Sequence, residues 1–374
     1  MDSSFVKPLL LWYNKNARVL PWRGCGDPYR IWVSEIMLQQ TRVEAVRGYY
    51  ERFVAALPNV QALAECPEDE LLKLWEGLGY YSRARNLQKA AKVICAEHGG
   101  ELPKSAGELC KLPGIGAYTS GAIASIAFGE AEPAVDGNVL RVYARLSMFS
   151  EDIQKDAVRK RVREELLSAY PEADGTWGLL NQAFMDLGSG ICRANVPPEC
   201  DKCPLSGICK AHLAGSETAF PVRGAKTKHR DEERTVFLIR DGENVAVSRR
   251  PAGGLLGNLY EFPNCEGWMD ADGAVAYIEE KGFLVLTVRE LPEAKHVFSH
   301  LTWRMRAYEL KIAPREERGE ALQSAQESSM AELQKAPFEQ AWIFAEPKEI
   351  SRKYALPSAF AKYAELLEIR RGKE

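Results

Sequence analysis

Four of the nine cysteines in this 374-residue chain fall within eighteen positions, as Cys192-x7-Cys200-x2-Cys203-x5-Cys209. Pro197, Pro198 and Pro204 lie among them, so the segment is a compact loop able to turn four thiolates toward one centre. Four unrelated buried thiols are the bland alternative, and a tetrahedral zinc is the serious one. Four-thiolate zinc sites usually come as two separated C-x2-C knuckles; a single C-x2-C here favours a [4Fe-4S] cluster. An odd, clustered cysteine count also argues against a disulfide framework and for a reducing, cytosolic compartment. Cys25, Cys66, Cys95, Cys110 and Cys265 are scattered and read as packing residues.

The length implies two or three domains, at roughly 100 to 200 residues each. Up to about residue 213 apolar residues recur with helical period, as in 70–78, 83–97 and 119–128, punctuated by Gly and Pro. Over 214–230 that period lapses into a Gly-, Thr- and Lys-containing stretch, which reads as a linker. Beyond it, 235–240 and 244–249 form a hairpin through Asp241-Gly242-Glu243, with further strands at 283–288 and 301–312. Helices are expected near 273–281 and 357–368. The expected fold is multidomain: an all-α domain over 1–213, a linker over 214–230, and an α+β domain over 231–374.

Several function classes fall away at this point. No apolar run approaches the roughly 18 residues of a membrane span. The first thirteen residues lack the long apolar core of a secretion signal and read as a helix of the fold. Residues 1–230 hold 29 Lys+Arg against 27 Asp+Glu, so phosphate binding would need local patches and backbone amides rather than a global field.

One such set of amides is Leu112-Pro-Gly-Ile-Gly-Ala-Tyr-Thr, where Gly114 and Gly116 expose backbone N–H groups just before an apolar helix. Taken alone, it equally reads as a tight helix connection. Asp136, in Pro133-Ala-Val-Asp-Gly-Asn, precedes a helix with apolar Val139, Val142, Tyr143 and Leu146; it reads as an N-cap or as a working carboxylate. Glu35 is the lone charge in Ile31-Trp-Val-Ser-Glu-Ile-Met-Leu. Held among apolar groups, it would have a raised pKa and serve as a general acid near neutral pH; otherwise it lies on an exposed stripe.

The hairpin, the downstream Asp, the cysteine loop and the C-terminal strands occur in one order along nearly the whole chain. In that combination the chain resembles the helix-hairpin-helix base-excision DNA glycosylases, and within them the adenine DNA glycosylases. The resemblance implies a hairpin-bearing lobe over about 23–130, an iron-sulfur lobe from 1–22 plus 131–213, and a Nudix-like domain over 231–374. Family members that also cleave the backbone carry a Lys where this chain has Tyr118, so a monofunctional glycosylase is implied. Glu35 would protonate the flipped adenine at N7, and Asp136 would face the positive charge developing on the sugar. Tyr118 and Asn138 would orient Asp136 and shield the cation. Gln40 and Thr41, with Leu78 and Tyr80, match residues wedged into the duplex beside the lesion. Gly114 and Gly116 match the phosphate-binding hairpin.

In the second domain, Gly254-Leu-Leu-Gly-Asn-Leu-Tyr-Glu-Phe-Pro is similar to a Nudix-fold segment, with Tyr260 where Trp is frequent. No Arg-Glu-x-x-Glu-Glu run follows, so pyrophosphohydrolase chemistry is not expected. By resemblance, Phe298, Ser299 and His300 read 8-oxoguanine on the opposite strand; by pattern alone they are a strand end. The interval between Cys192 and Cys200 is one residue longer than the family's usual one. The expectation is a monomeric bacterial enzyme, cytoplasmic and nucleoid-associated, acting on double-stranded DNA at A:8-oxoguanine and A:G mispairs, with a [4Fe-4S] cluster and no membrane partner. The rivals are an endonuclease III-like lyase for oxidised pyrimidines and a non-catalytic iron-sulfur DNA-binding module.

Overall fold

The computed structural model describes residues 3–169, 176–224, 230–314 and 342–370. By contact the chain divides into two compact units, Met1–Cys66 with Ser82–Lys226, and Pro67–Tyr81 with Thr227–Glu374. A fifteen-residue segment of the helical half, 67–81, is therefore built into the second unit.

The described regular elements of the first unit are all helical. They are α1 (Val6–Asn16), α2 (Pro28–Met37), α3 (Val43–Ala56) and α4 (Val60–Glu65), with α5 (Glu68–Leu74) going to the second unit. After it come α6 (Ser82–Glu97), α7 (Ala106–Leu109), α8 (Ala117–Phe128), α9 (Gly137–Ser147), α10 (Asp156–Ala169), α11 (Trp177–Gly190) and α12 (Lys210–Leu213). Side-chain caps set several starts. Asp27 accepts the Tyr29 and Arg30 amides with Pro28 at the first turn of α2, and Asp136 accepts the Asn138 and Val139 amides of α9. Gly129, at φ +71°, ends α8 in the left-handed conformation that lets the last carbonyls be satisfied.

One core joins α1, α9, α10 and α11 through Leu9, Tyr143, Val162, Leu180 and Phe184, with Phe5 from the 3-10 turn just before α1. Burying each such side chain is worth about 1.5–3 kcal/mol over leaving it in water. Leu205 belongs to the same core and Cys192, Cys203 and Cys209 pack against it, so the cysteine loop is fastened to α9 and α11. Where α11 meets α8, a Cβ on Gly178 would stand 2.7 Å from the Ser125 carbonyl oxygen, so the close approach requires glycine.

The second unit holds β1 (Arg230–Asp241), β2 (Asn244–Arg249), β3 (Tyr260–Glu261), β4 (Asn264–Glu266), α13 (Ala271–Glu279), β5 (Val285–Val297), β6 (Leu301–Ile312) and β7 (Ile343–Ala345). It ends with α14 (Pro347–Lys353) and α15 (Ala361–Leu366). The strand order is β3-β2-β1-β6-β5, with β4 also on β1 and β7 also on β2. β1 and β6 are parallel; the other pairs are antiparallel. The expected hairpin closes with Asp241 opposite Asn244.

Both faces of β1 are covered, which is why Val236 to Ile239 is an unbroken apolar run. Val236 and Leu238 join Phe262, Trp303, Phe360 and Tyr363 on one face, while Phe237 and Ile239 join Ala274 and Ile278 of α13 on the other. β5 starts at Val285 rather than 283 and runs on to Val297, through an exposed, charged stretch whose composition does not announce a strand. The helix expected over 357–368 is a 3-10 turn at Ser358–Phe360 followed by α15. No described helix is long and apolar enough to cross a membrane.

Candidate active site

Glu35 sits on α2, whose residues Ile31 to Met37 are all buried, and is itself only 5% exposed. The exposed-stripe reading is thereby excluded. Removal from water pushes its carboxyl up to about 7, reinforced by the Asp136 charge and opposed by the Tyr118 hydrogen bond and Arg23. The Tyr118 hydroxyl, one residue into α8, donates to Glu35 Oε2 at 2.8 Å and reaches Met185 Sδ at 3.8 Å. Burial, with Glu35 beside it, holds the Tyr118 phenol well above its ordinary pKa, so it remains a donor.

Asp136 is both the N-cap and a member of this buried group. Its Oδ1 accepts from the amides of Asn138 at 2.8 Å and Val139 at 2.7 Å, and its Oδ2 accepts from Asn138 Nδ2 at 2.6 Å. Burial raises its pKa, against those three donors and the Arg141 charge. Asn138 Oδ1 in turn accepts from Arg141 Nη2 at 2.8 Å. The same guanidinium bonds the carbonyls of Gly188 at 2.6 Å and Cys192 at 2.7 Å, tying α9 to the end of α11 and to the cysteine loop. The Arg141 pKa is lowered, chiefly by burial.

Several partners of the expected residues gave no sign in the sequence. Arg141 and Gly188 are two of them: a Cβ at Gly188 would stand 2.6 Å from the Asn138 Cβ, so the carboxamide needs a glycine opposite it. Asp186 on α11 takes Arg23 through both oxygens, at 2.7 and 2.9 Å, and Arg18 as well. Those cations depress the Asp186 pKa against its burial. Arg83 donates to the carbonyls of Ile36, Met37 and Gln39 and to Thr41 Oγ1, closing the end of α2 and the turn after it. Gln40 protrudes from that turn, exposed and left-handed at φ +58°.

Leu112 and Ile115 anchor the hairpin by burial and leave Gly114 and Gly116 exposed. Gly114 has φ +76°, and a Cβ there would meet the Asn86 Cβ at 2.6 Å; Gly116 is the N-cap of α8. In the second unit Leu78 is buried, whereas Tyr80 is 45% exposed with φ +46°. Phe298, Ser299 and His300 form the tip between β5 and β6. Ser299 and His300 are exposed there, and half-buried Phe298 packs on Trp303 at 5.0 Å between ring centroids.

The four loop cysteines are all partly buried. Arg145 Nη1 donates to Cys192 Sγ at 3.2 Å, and Cys209 Sγ donates to the Arg145 carbonyl at 3.4 Å. Burial first, and then neighbouring charges, push the Cys200 thiol up to about 12 and Cys203 to about 11. Among the described residues, the ligand atoms converging within 4.8 Å are those of Cys200, His212 and Glu217, not the four sulfurs. His212 and Glu217 entered no reading of the sequence, although His212 follows Cys209 at C-x2-H spacing.

Comparison with known proteins bears on this arrangement. The HhH-GPD superfamily of base excision DNA repair proteins matches residues 33–167, and a NUDIX domain matches 235–366. Adenine DNA glycosylase of Buchnera aphidicola subsp. Baizongia pistaciae is 36% identical over 301 residues, covering 80% of this chain and 83% of that protein. The chain belongs to the adenine DNA glycosylase family. Its human relative, Adenine DNA glycosylase of Homo sapiens, is 40% identical over 215 residues, 54% of this chain and 38% of that protein. Among solved structures, a thermostable thymine-DNA glycosylase superposes with TM-score 0.51 at 30% identity, covering 56% of this chain and 96% of that one. The expected fold class holds: a helix-hairpin-helix glycosylase domain, then an α+β Nudix-like domain. The chain is a DNA glycosylase.

Proposed function

We propose that this chain is a monofunctional adenine glycosylase of base excision repair, acting on adenine opposite 8-oxoguanine or guanine in double-stranded DNA. The observation that carries it is the buried trio: Glu35 with a carboxyl near pKa 7, the Tyr118 hydroxyl on it at 2.8 Å, and Asp136 close enough to raise it. A carboxylic acid in that range is still substantially protonated at neutral pH and can donate. Glu35 delivers its proton to N7 of the flipped adenine. The N9–C1′ bond then breaks, its electron pair leaving with the base, while Asp136 stabilises the cation left on the sugar. Water adds hydroxide to C1′ and surrenders a proton to a carboxylate, giving adenine and an abasic site. Tyr118 and Asn138 hold the two carboxylates in place. With Tyr118 where strand-cleaving relatives carry a lysine, and Lys111 lying before the hairpin and not at that position, no amine is placed for a Schiff base and the strand stays intact.

The hairpin amides at Gly114 and Gly116 hold a phosphate; Gln40 and Thr41 in the first unit are wedge residues beside the lesion, as is Tyr80 in the second, whereas Leu78, expected in the same role, is buried. Ser299 reads the distinguishing edge of 8-oxoguanine, with Phe298 and His300 beside it. Cys192, Cys200, Cys203 and Cys209 hold a [4Fe-4S] cluster. The donor set fits it: four partly buried sulfurs on one loop with a single C-x2-C, and a guanidinium on Cys192 to offset thiolate charge. When bound, the cluster cross-links the loop; adenine excision itself calls for no electron. The enzyme works as a monomer in the bacterial cytoplasm, on the nucleoid.

The test is single-turnover cleavage of duplexes holding A opposite 8-oxoguanine, A opposite T, and thymine glycol, each with and without alkali. Breaks that need alkali, at mispaired adenine alone, are expected. Breaks without alkali at thymine glycol would establish the lyase instead, and silence on all three would leave a binding module.

A further inference from the structure

The segment 67–81 is part of the second unit, and polar contacts fix it there along its length. Asn258 Nδ2 donates to Glu68 Oε1 at 2.8 Å, and Arg249 Nη2 donates to Asp69 Oδ1 at 2.9 Å. Deeper in, Glu76 is 1% exposed. Its Oε1 accepts the Leu356 amide at 2.7 Å, and its Oε2 accepts Lys73 Nζ at 2.7 Å. Lys73 also donates to the Tyr354 carbonyl at 3.3 Å. Burying a carboxylate is costly unless it is paired and hydrogen-bonded, and Glu76 meets both conditions in part through the backbone of residues 354–356.

Immediately after Glu76 the chain makes a strained loop. Gly77, Gly79 and Tyr80 have φ of +99°, +70° and +46°. Such a conformation persists in a non-glycine residue when its surroundings over-determine it. Here Trp75 Nε1 donates to the Gly79 carbonyl at 3.2 Å, and the Gly77 amide donates to the Tyr81 hydroxyl at 3.3 Å. The loop's exposed product is the Tyr80 ring.

The residues that Glu76 grips are continuous with the strand tip at 298–300. Tyr260 of β3 donates its amide to the Ala355 carbonyl at 3.0 Å, and Leu356 lies in the same core as Trp303 and Phe360, against which Phe298 packs. Trp303 contacts both Phe298 and Phe360, at 5.0 and 6.1 Å between centroids.

We infer that Glu76 is a positioning residue that fixes the Tyr80 loop to the sheet domain, so that the element reading the opposite base also sets the wedge entering the duplex. This rests on the proposed roles of Tyr80 as wedge and of the 298–300 tip as 8-oxoguanine reader. The coupling it describes is between two parts of one folded unit, centred on the buried Glu76 carboxylate and its Lys73 partner.

The experiment compares full-length protein with its Glu76→Ala, Glu76→Gln, Lys73→Met and Tyr80→Ala variants in single-turnover base release from A:8-oxoguanine and A:G duplexes. Glu76→Ala is expected to lower the rate on A:8-oxoguanine about tenfold and on A:G less than twofold, so the ratio of the two falls. Glu76→Gln, which keeps an acceptor for the Leu356 amide, should restore most of the ratio, and Lys73→Met should lower it by a smaller factor. In Tyr80→Ala the further change to Ala at 76 should cost nothing more.

A purely structural role would lower both rates in proportion and leave the ratio unmoved, which overturns the inference. If Glu76→Ala does not fold, an unchanged ratio in Lys73→Met overturns it equally. Should Tyr80→Ala leave both rates at the wild-type level, the wedge reading itself fails; a Tyr80 effect without a Glu76 effect on the ratio removes the inference and spares that reading.

Discussion

Arg141 Nη2 donates to Asn138 Oδ1 at 2.8 Å, which leaves the amide nitrogen of Asn138 facing Asp136 Oδ2 at 2.6 Å. The guanidinium thus decides which way the carboxamide points, and the carboxamide decides how the Asp136 carboxylate sits. Arg141→Met should lower single-turnover adenine release about 10- to 100-fold with substrate binding little changed, because it frees the Asn138 carboxamide that holds Asp136; it should also lower Tm, since the same guanidinium ties α9 to the Gly188 and Cys192 carbonyls. Gly188→Ala attacks the same pair from the other side, since its Cβ would press on Asn138. A similar loss of rate is expected from it, read in the same assay; a wild-type rate in both variants would remove Asn138 from the machinery.

The pH profile follows from Glu35. Its carboxyl is raised to about 7 by burial, and in the proposed mechanism its acid form is the working one, so the rate of base release should fall as pH rises through about 7; on the acid side it should fall again where Asp136, whose own pKa burial raises, takes up a proton. Stability has the same sign. Between the ordinary carboxyl pKa and about 7 the folded state binds more protons at this site than the unfolded chain, so the contribution to stability declines as pH rises across that window and then levels off. Glu35→Gln should therefore abolish activity, by about a hundredfold or more, while raising Tm further above wild type at pH 8.5 than at pH 5.

Tyr118→Phe separates the hydroxyl from the ring. The hydroxyl donates to the ionised form of Glu35 and so opposes the raised pKa. Without it the Glu35 carboxyl should titrate higher, moving the falling limb of the rate profile to more alkaline pH, with a modest change in the rate at its plateau. A limb displaced downward would mean that the hydroxyl serves the neutral acid. Borohydride treatment during turnover should trap no covalent protein–DNA adduct in either protein.

The parts of this molecule that were legible in the sequence share a physical cause. α2, α8 and α9 carry their signals locally, in caps, glycines and apolar runs, and Glu35 stood out because a lone charge in such a run is a local contradiction. The sheet faces of β1 and β6 were legible for the same reason. What lay outside that reading depends on distance along the chain. Arg141 looks like any helix arginine until α11 brings Gly188 against it, and Glu76 meets Leu356 across 280 positions. β3 and β7 are two and three residues long, too short for any period to register. His212 and Glu217 acquire meaning only when the loop folds Cys200 back onto them.

The cysteine loop gives the last prediction. Purified without oxygen, the protein should be brown, with a broad visible absorbance and about four iron atoms per chain, and chelation should bleach it. Cys203→Ala should lose most of the iron and lower Tm by several degrees, since Cys203 is packed against the core that holds α9 and α11 together. Arg141 joins the Cys192 carbonyl to Asn138, so loosening the loop should also slow base release in the cluster-depleted protein, in the manner of Arg141→Met. Stoichiometric zinc in place of iron would replace the cluster assignment. Full catalytic rate in the iron-free Cys203→Ala protein would show that the Arg141 bridge carries no influence from the loop to Asp136.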